Sequence, residues 1–336
     1  MAEVDLQQRD RRGEWLPDPL PAPSPLFSWP LRLLPALRAV AGQYWPYGWL
    51  FGALAVVSWL WFTPELSRTG TFALGWIAEI YARNLVLMVV LYGGVHLRLY
   101  VQRAQDLRYK FSNRWPSADN RAFLFRNQTR DNMFWTLVSG GLIWTGYEAL
   151  TLWLYANGVL PIVTLAQHPV YFVMLMLAVP WMRTLHFYWA HRLTHWKLLY
   201  KHAHYLHHKN VNPGPWSGLS MHPIEHLLYF SGVLLHWIIP SHPLHAIFDL
   251  LHAGISPIPG HIGFFKVEVG KEHAIQNGGY FHYLHHKYFD CNYGGEGVPL
   301  DKWFGSFFDG SASSEAEMTV RRQRLRAKRG AAAGSG

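Results

Sequence analysis

The chain has one cysteine, Cys291, in 336 residues. That excludes a disulfide framework, a C-x-x-C redox pair and a cysteine-based zinc site, and leaves Cys291 as a small, semi-buried residue. Charge is also scarce, at 15% of residues, with none from Val40 to Pro64 or from Ala149 to Met182. No H-E-x-x-H occurs, which argues against a common zinc-hydrolase helix. No E-x-x-H occurs, which argues against the carboxylate-rich sites of soluble di-iron bundles. There is no G-x-G-x-x-G turn, cysteine cluster or haem-type motif to hold a redox cofactor. The net charge is +9, with 21 arginines to 9 lysines, but the basic residues bracket apolar segments instead of interleaving with aromatics. Nucleic-acid binding is therefore not expected.

Apolar sequence is abundant: 50% of residues are hydrophobic, with 17 Trp and 17 Tyr. About 20 apolar residues cross a bilayer core of roughly 30 Å, and four stretches qualify, at about 44–64, 76–98, 133–154 and 161–183. Glu79 and Arg83, four apart on the second stretch, are placed either to pair on one helical face or to let Arg83 snorkel to the interface. Glu148 lies near one end of the third. The loop from 99 to 132 holds seven cations, whereas the 65–75 connection holds only Arg68 and the 155–165 turn none. Cytoplasmic loops retain positive charge, so both ends of the bundle are expected to face the cytosol. Two shorter apolar stretches, about 224–239 and 243–256, are broken by Pro240 and Pro243 and read as a re-entrant or interfacial hairpin. Residues 1–43 read as a cytosolic, proline-rich segment without a signal peptide, 44–183 as the transmembrane bundle, 184–310 as a histidine-rich catalytic domain and 311–336 as a disordered basic tail. The expected class is an all-α integral membrane helical bundle of about four spans with a cytosolic-face helical catalytic domain. The arginine bias and Ala/Gly tail point to a GC-rich bacterial genome and an inner membrane; in a eukaryote the same reading gives the endoplasmic reticulum.

Eighteen of the twenty histidines fall between residues 186 and 286, and His-Tyr-Leu-His-His-Lys occurs twice, at 204–209 and 282–287. Three clusters supply eight imidazoles: His191 and His195; His204, His207 and His208; His282, His285 and His286. Positions i, i+3 and i+4 share a helical face, so each cluster is expected to converge on one point. His222, in His-Pro-Ile-Glu, and His261, between Gly260 and Ile262, lie at turns beside the clusters and are candidates for two further ligands, which would give five per metal. His96, His168 and His236, isolated in apolar runs, read as core residues. Imidazole suits iron, zinc, copper or nickel. Ligand number and the missing zinc and haem patterns leave an all-histidine pair of irons as the best fit, with a membrane zinc-dependent hydrolase or a non-catalytic metal-binding membrane protein as alternatives.

In order and spacing the clusters resemble the sterol desaturase and fatty acid hydroxylase superfamily of membrane-bound di-iron enzymes. The likeness covers about 180–308. It runs from His191-Arg192-Leu193-Thr194-His195 through the second cluster, His222 to Glu225 and His261, to the third cluster with Phe289-Asp290-Cys291-Asn292-Tyr293-Gly294, closing on Asp301-Lys302-Trp303-Phe304-Gly305-Ser306. The resemblance implies oxygen-dependent hydroxylation or desaturation of an unactivated C–H bond in a sterol-like or fatty acyl lipid. It also implies two non-haem irons, O₂, and electrons from an external cytochrome-b-type or ferredoxin donor with its reductase. Asn292, Tyr293 and Asp301 are then expected to support the ligands or shape their turns. Trp216, in Pro213-Gly214-Pro215-Trp216, and the hairpin at 224–256 are candidates for a lateral lipid entrance.

Overall fold

The computed structural model describes residues 9–10, 13–22, 24–27, 29–270, 272–295 and 297–333. Residues 1–8 of the N-terminal segment and 334–336 of the tail lie outside the described residues. Helices dominate, and they follow the apolar runs with shifted ends. Within the proline-rich segment, Leu33–Tyr44 forms α1, with Pro35 in its first turn, where a missing N–H costs nothing. Its Leu33, Leu34 and Leu37 are exposed. The first apolar run is Tyr47–Phe62 (α2); it buries Phe51, Ala55 and Ser58 at helical spacing and exposes Trp49, Leu50, Leu60 and Trp61 on the other side.

The second run is Leu74–His96 (α3), and the third a continuous rod of Gln128–Phe134 (α4), a π-helical turn at Trp135–Gly140 and Gly141–Ala156 (α5). The pairing expected between Glu79 and Arg83 does not form. Arg83 is buried, and it donates across the bundle to Glu148 and, on its own helix, to Asn84 Oδ1. A guanidinium in an apolar bundle needs a partner at the same depth. Glu79 lies outside and takes a two-point contact from Arg68 at 2.7 and 3.1 Å.

The fourth run differs most from expectation: the helix starts at Pro169, not near 161, and continues to Thr194 (α6). Ile162 is instead bridged to Ser241, and Pro169 at the first helical position sets the start. The boundary drawn at 183/184 thus falls inside one helix, which carries the first histidine pair. Among the described residues, two helices, Leu74–Val101 and Pro169–Thr194, are long and apolar enough to cross a membrane.

The proline-broken hairpin becomes Pro223–Phe230 (α8) and Pro243–Ile255 (α9), with a four-residue α7, Tyr205–His208, preceding them. Its second arm is interior, since nearly all of α9 is buried and packs against α2, α5 and α6, whereas Ile224, Leu227 and Ile238 of the first arm are exposed. Tyr92 and Tyr229 hydroxyls donate to the Gly254 and Ala253 carbonyls at 2.8 and 2.9 Å. A Cβ on Gly254 would lie 2.3 Å from the Trp144 ring. Gly254→Ala is therefore expected to cost about 1–3 kcal/mol by overpacking, measured as a lower unfolding midpoint in detergent.

The all-α expectation fails at one place. Lys266–Val269 and His273–Gln276 pair antiparallel as β1 and β2, turning through Gly270 at a φ of +75°. Val267 and Ile275 face each other in this register, which suits β-branched side chains. The tail also differs, since Ala312–Ala333 (α12) is helical. It is rich in Ala and Arg, both good helix formers, and the Asp309 carboxylate gathers the Ser311 and Ser314 hydroxyls, both at 2.6 Å, where it starts. The arginine-rich loop packs beneath the histidine region: Phe111 N–H donates to the Gly263 carbonyl at 3.0 Å, and the buried Lys110 ammonium donates to the Ser112 and Arg114 carbonyls.

Candidate metal centre

His191 and His195 close α6. His204, His207 and His208 lie on the helical stretch ending in α7, His261 ends the short helix Pro257–His261 (α10), and the third cluster lies on Tyr280–Tyr288 (α11). The structure brings nine of the ten candidate histidines together, in two groups. One holds His191, His195, His204, His208 and His285; the other holds His207, His261, His282 and His286. Within each group the ligand atoms lie within 4.8 Å of one another.

The expectation that each cluster converges on one point is corrected here. The i, i+4 pairs stay together (191/195, 204/208 and 282/286), whereas His207 and His285, each adjacent to a partner in its own triplet, cross to the other group. Adjacent helical residues do not share a face. Each copy of His-Tyr-Leu-His-His-Lys therefore serves both groups and locks them together.

His222 belongs to neither group. Its Nδ1 accepts from the Ile224 N–H at 3.2 Å, capping α8. His242 does the same for Leu244 at the start of α9, and His168 precedes Pro169 at the start of α6. His-Pro thus opens three helices, which explains His222 without a metal. His168 is exposed, contrary to its reading as a core residue.

Hydrogen bonds fix the ring orientations. A backbone carbonyl can only accept, so Nδ1 carries the proton in His191 (to Tyr293 O, 2.7 Å), His261 (to Pro257 O, 2.8 Å) and His285 (to Cys291 O, 2.6 Å). Their Nε2 lone pairs then point inward. His204 Nδ1 meets Glu225 Oε1 at 2.6 Å, the carboxylate–histidine arrangement that steadies metal-binding imidazoles. Inward nitrogens crowd: His285 Nε2 lies 3.0 Å from that of His208, and His261 Nε2 lies 2.9, 3.2 and 3.4 Å from those of His282, His286 and His207. One lone pair cannot accept from three neighbours, and facing lone pairs repel. A cation with metal–nitrogen bonds of about 2.0–2.1 Å would place right-angled ligands about 3 Å apart, so these residues fit a metal in each group. Burial, with repulsion from neighbouring rings, pushes His204, His207, His208, His282, His285 and His286 well below the usual histidine range, and burial takes His261 down to about 4. These rings are neutral at physiological pH, as ligation requires.

Outside the ligands, Asp301 accepts from the Tyr293 and Gly294 N–H groups at 2.9 and 2.8 Å and from the Ser306 hydroxyl at 2.6 Å. Asn292, at a φ of +52°, donates to the Phe281 and Phe308 carbonyls. Together they hold the turn whose carbonyls orient His191 and His285. Asp301→Ala is expected to lower metal retention against a chelator roughly tenfold, as loss of outer support does. Sequence reasoning missed the role of Glu225, whose signal was its place in the His-Pro-Ile-Glu motif, and the carbonyls of Pro257, Cys291 and Tyr293, which leave no signal. A cavity of about 350 Å³ meets both groups through His191, His204, His207, His261 and His282, and its other walls include Phe51, Phe187, Met221, Leu228 and Phe281. Trp216 lies elsewhere, buried and stacked on Tyr92 with ring centroids 5.4 Å apart, so it forms no entrance. On the accessible rim stand Gln43, Tyr47, Gly295 and Gly297, beside the exposed Trp45 and Trp49.

Fold and site together define a mainly helical protein in which two all-imidazole groups that could each hold a metal open to a largely apolar cavity. Residues 172–306 match the family model for fatty acid hydroxylase. The chain is 34% identical over 122 residues to a Delta(7)-sterol 5(6)-desaturase of Gibberella zeae, covering 35% of this chain and 37% of that protein. It is 30% identical over 151 residues to lathosterol oxidase of Homo sapiens, covering 44% and 50%, and 30% identical over 123 residues to a putative methylsterol monooxygenase of Dictyostelium discoideum, covering 36% and 46%. The chain spans half or less of the length of each of these relatives. No solved structure matches it. Over this region the chain is similar to the fatty acid hydroxylase family and to enzymes named as sterol desaturases.

Proposed function

We propose that the chain is a membrane-bound di-iron oxidoreductase that hydroxylates or desaturates an unactivated C–H bond of a sterol-like or fatty acyl lipid. The observation that carries this reading is the pair of interlocked imidazole groups opening onto one apolar cavity. The five-histidine and four-histidine groups would each hold one iron. When bound, the metals supply the reduction of O₂ that makes such a C–H bond reactive, using electrons from an external cytochrome-b-type or ferredoxin donor and its reductase. The chain's own residues do the rest. Carbonyls of Pro257, Cys291 and Tyr293 hold the Nδ1 protons outward, and Glu225 anchors His204. Phe51, Phe187, Met221 and Phe281 exclude water and present a lipid to the histidines.

The exposed apolar belts of α2, α3 and α6 support a multi-pass membrane protein with both termini and the metal centre on the cytosolic side, in an inner membrane or, in a eukaryote, the endoplasmic reticulum. The rim at Gln43 and Gly297, beside Trp45 and Trp49, supports lateral access from the leaflet on that side. The names of the sterol-oxidising relatives support the lipid class. Lipid mass spectrometry of cells carrying the wild-type chain or His285→Ala tests the reading. A lipid gaining one oxygen or losing two hydrogens only with the wild type supports it, and identical lipid profiles contradict it.

A further inference from the structure

One charged side chain lines the cavity away from the histidines. Arg183, Phe187, His191 and His195 follow one another on α6 at four-residue steps and form a single stripe. Eight residues separate Arg183 from His191, about 12 Å along the helix axis. Phe187 fills the interval, stacking on His191 with ring centroids 5.0 Å apart. The helix therefore presents a polar group, an apolar spacer and a metal ligand in order along the cavity wall.

Arg183 is only 3% exposed, yet its hydrogen bonding is incomplete. Nη1 donates to the Tyr229 carbonyl at 3.1 Å and lies 3.9 Å from Asp249 Oδ1, but Nε donates to no protein group. Neither Asp249 oxygen accepts a hydrogen bond, and His252, another cavity-lining residue, leaves Nδ1 without a protein partner. His186 faces the same guanidinium, 3.4 Å from Nη1. Gly232 makes room for it, since a Cβ there would lie 2.5 Å from Nη1. A buried guanidinium with unused donors is costly unless something else completes it. Asp249 offsets its charge, so the group suits a neutral hydroxyl better than a carboxylate or phosphate.

We propose that Arg183, assisted by His252, is the polar anchor of this cavity: it binds a hydroxyl of the lipid and so sets which carbon reaches the histidine groups. This rests on the lipid-oxidising reading. It is tested by equilibrium binding to the purified full-length protein kept free of oxygen, so that lipid binds without turnover. Cholestanol is compared with cholestane, which lacks only the hydroxyl, and hexadecanol with hexadecane. In at least one pair the alcohol should bind at least about tenfold more tightly, as expected for a hydrogen bond to a charged group. That ratio should fall to about one in Arg183→Leu/Asp249→Leu, which removes both charges so that no buried carboxylate is left unpaired. It should fall at least about threefold in His252→Phe, which leaves the ion pair intact. A wild-type ratio near one in both pairs, or an unchanged ratio in His252→Phe, overturns the proposal. An intact ratio in a protein that oxidises no lipid when given oxygen and reductant would count against the di-iron reading while supporting the anchor.

Discussion

His285→Ala is expected to leave the chain with one bound iron instead of two, and His207→Ala to do the same at the other group. Both histidines cross from their own triplet to the opposite group, and each is its group's single ligand from its cluster. Without His285, the first group keeps four imidazoles but loses the only one from α11. Without His207, the second group keeps three. Loss of a direct ligand should exceed the 10–100-fold affinity loss typical of an outer partner, so the metal affinity of the affected group should fall by more than about 100-fold. Lipid oxidation should fall below about one hundredth in both variants, because the reaction needs both groups. Metal counting with lipid analysis checks this. Loss of both metals in each variant would show that the groups do not fill separately.

Glu225 should matter far more for metal binding than for folding. Its carboxylate is buried on α8, one oxygen meeting His204 Nδ1 and the other without a hydrogen bond, and burial pushes its pKa well up. Replacing such a group with leucine removes that desolvation cost but leaves the His204 Nδ1–H without its partner, so the stability of the metal-free protein is expected to change by no more than about 1–2 kcal/mol. The same change frees the His204 ring and should weaken metal binding 10–100-fold, whereas Glu225→Gln, whose carbonyl still accepts from Nδ1–H, should lose less. Thermal unfolding with and without metal, beside chelator competition, separates the two effects. A variant both less stable and fully metal-retaining would contradict this account of Glu225.

The sequence made the ligands legible because the i, i+4 spacing of histidines is a local property of a helix. It did not reveal how they divide. His207 and His208 are neighbours in the chain but face different groups, and only the packing of α6, α7, α10 and α11 decides which. His261 has no cluster of its own and joins through the fold, while His222 shows the converse: it stands before a proline and caps a helix, as His242 does. The apolar runs located the helices, but composition could not show that α6 starts at Pro169 or runs on into the first histidine pair. The partner of Arg83 was misread for a related reason. Pairing along one helix is visible in a sequence, whereas pairing with Glu148 across two helices is not. The β-hairpin at 266–276 is too short to stand out beside the long apolar runs.

Metal content and metal identity in the full-length chain, purified without oxygen from iron-replete cells, test the central claim most directly. About two irons per chain, with lipid oxidation that stops when O₂ or reductant is withheld, is the expected result. One metal per chain, or zinc with activity that persists without oxygen, would contradict it.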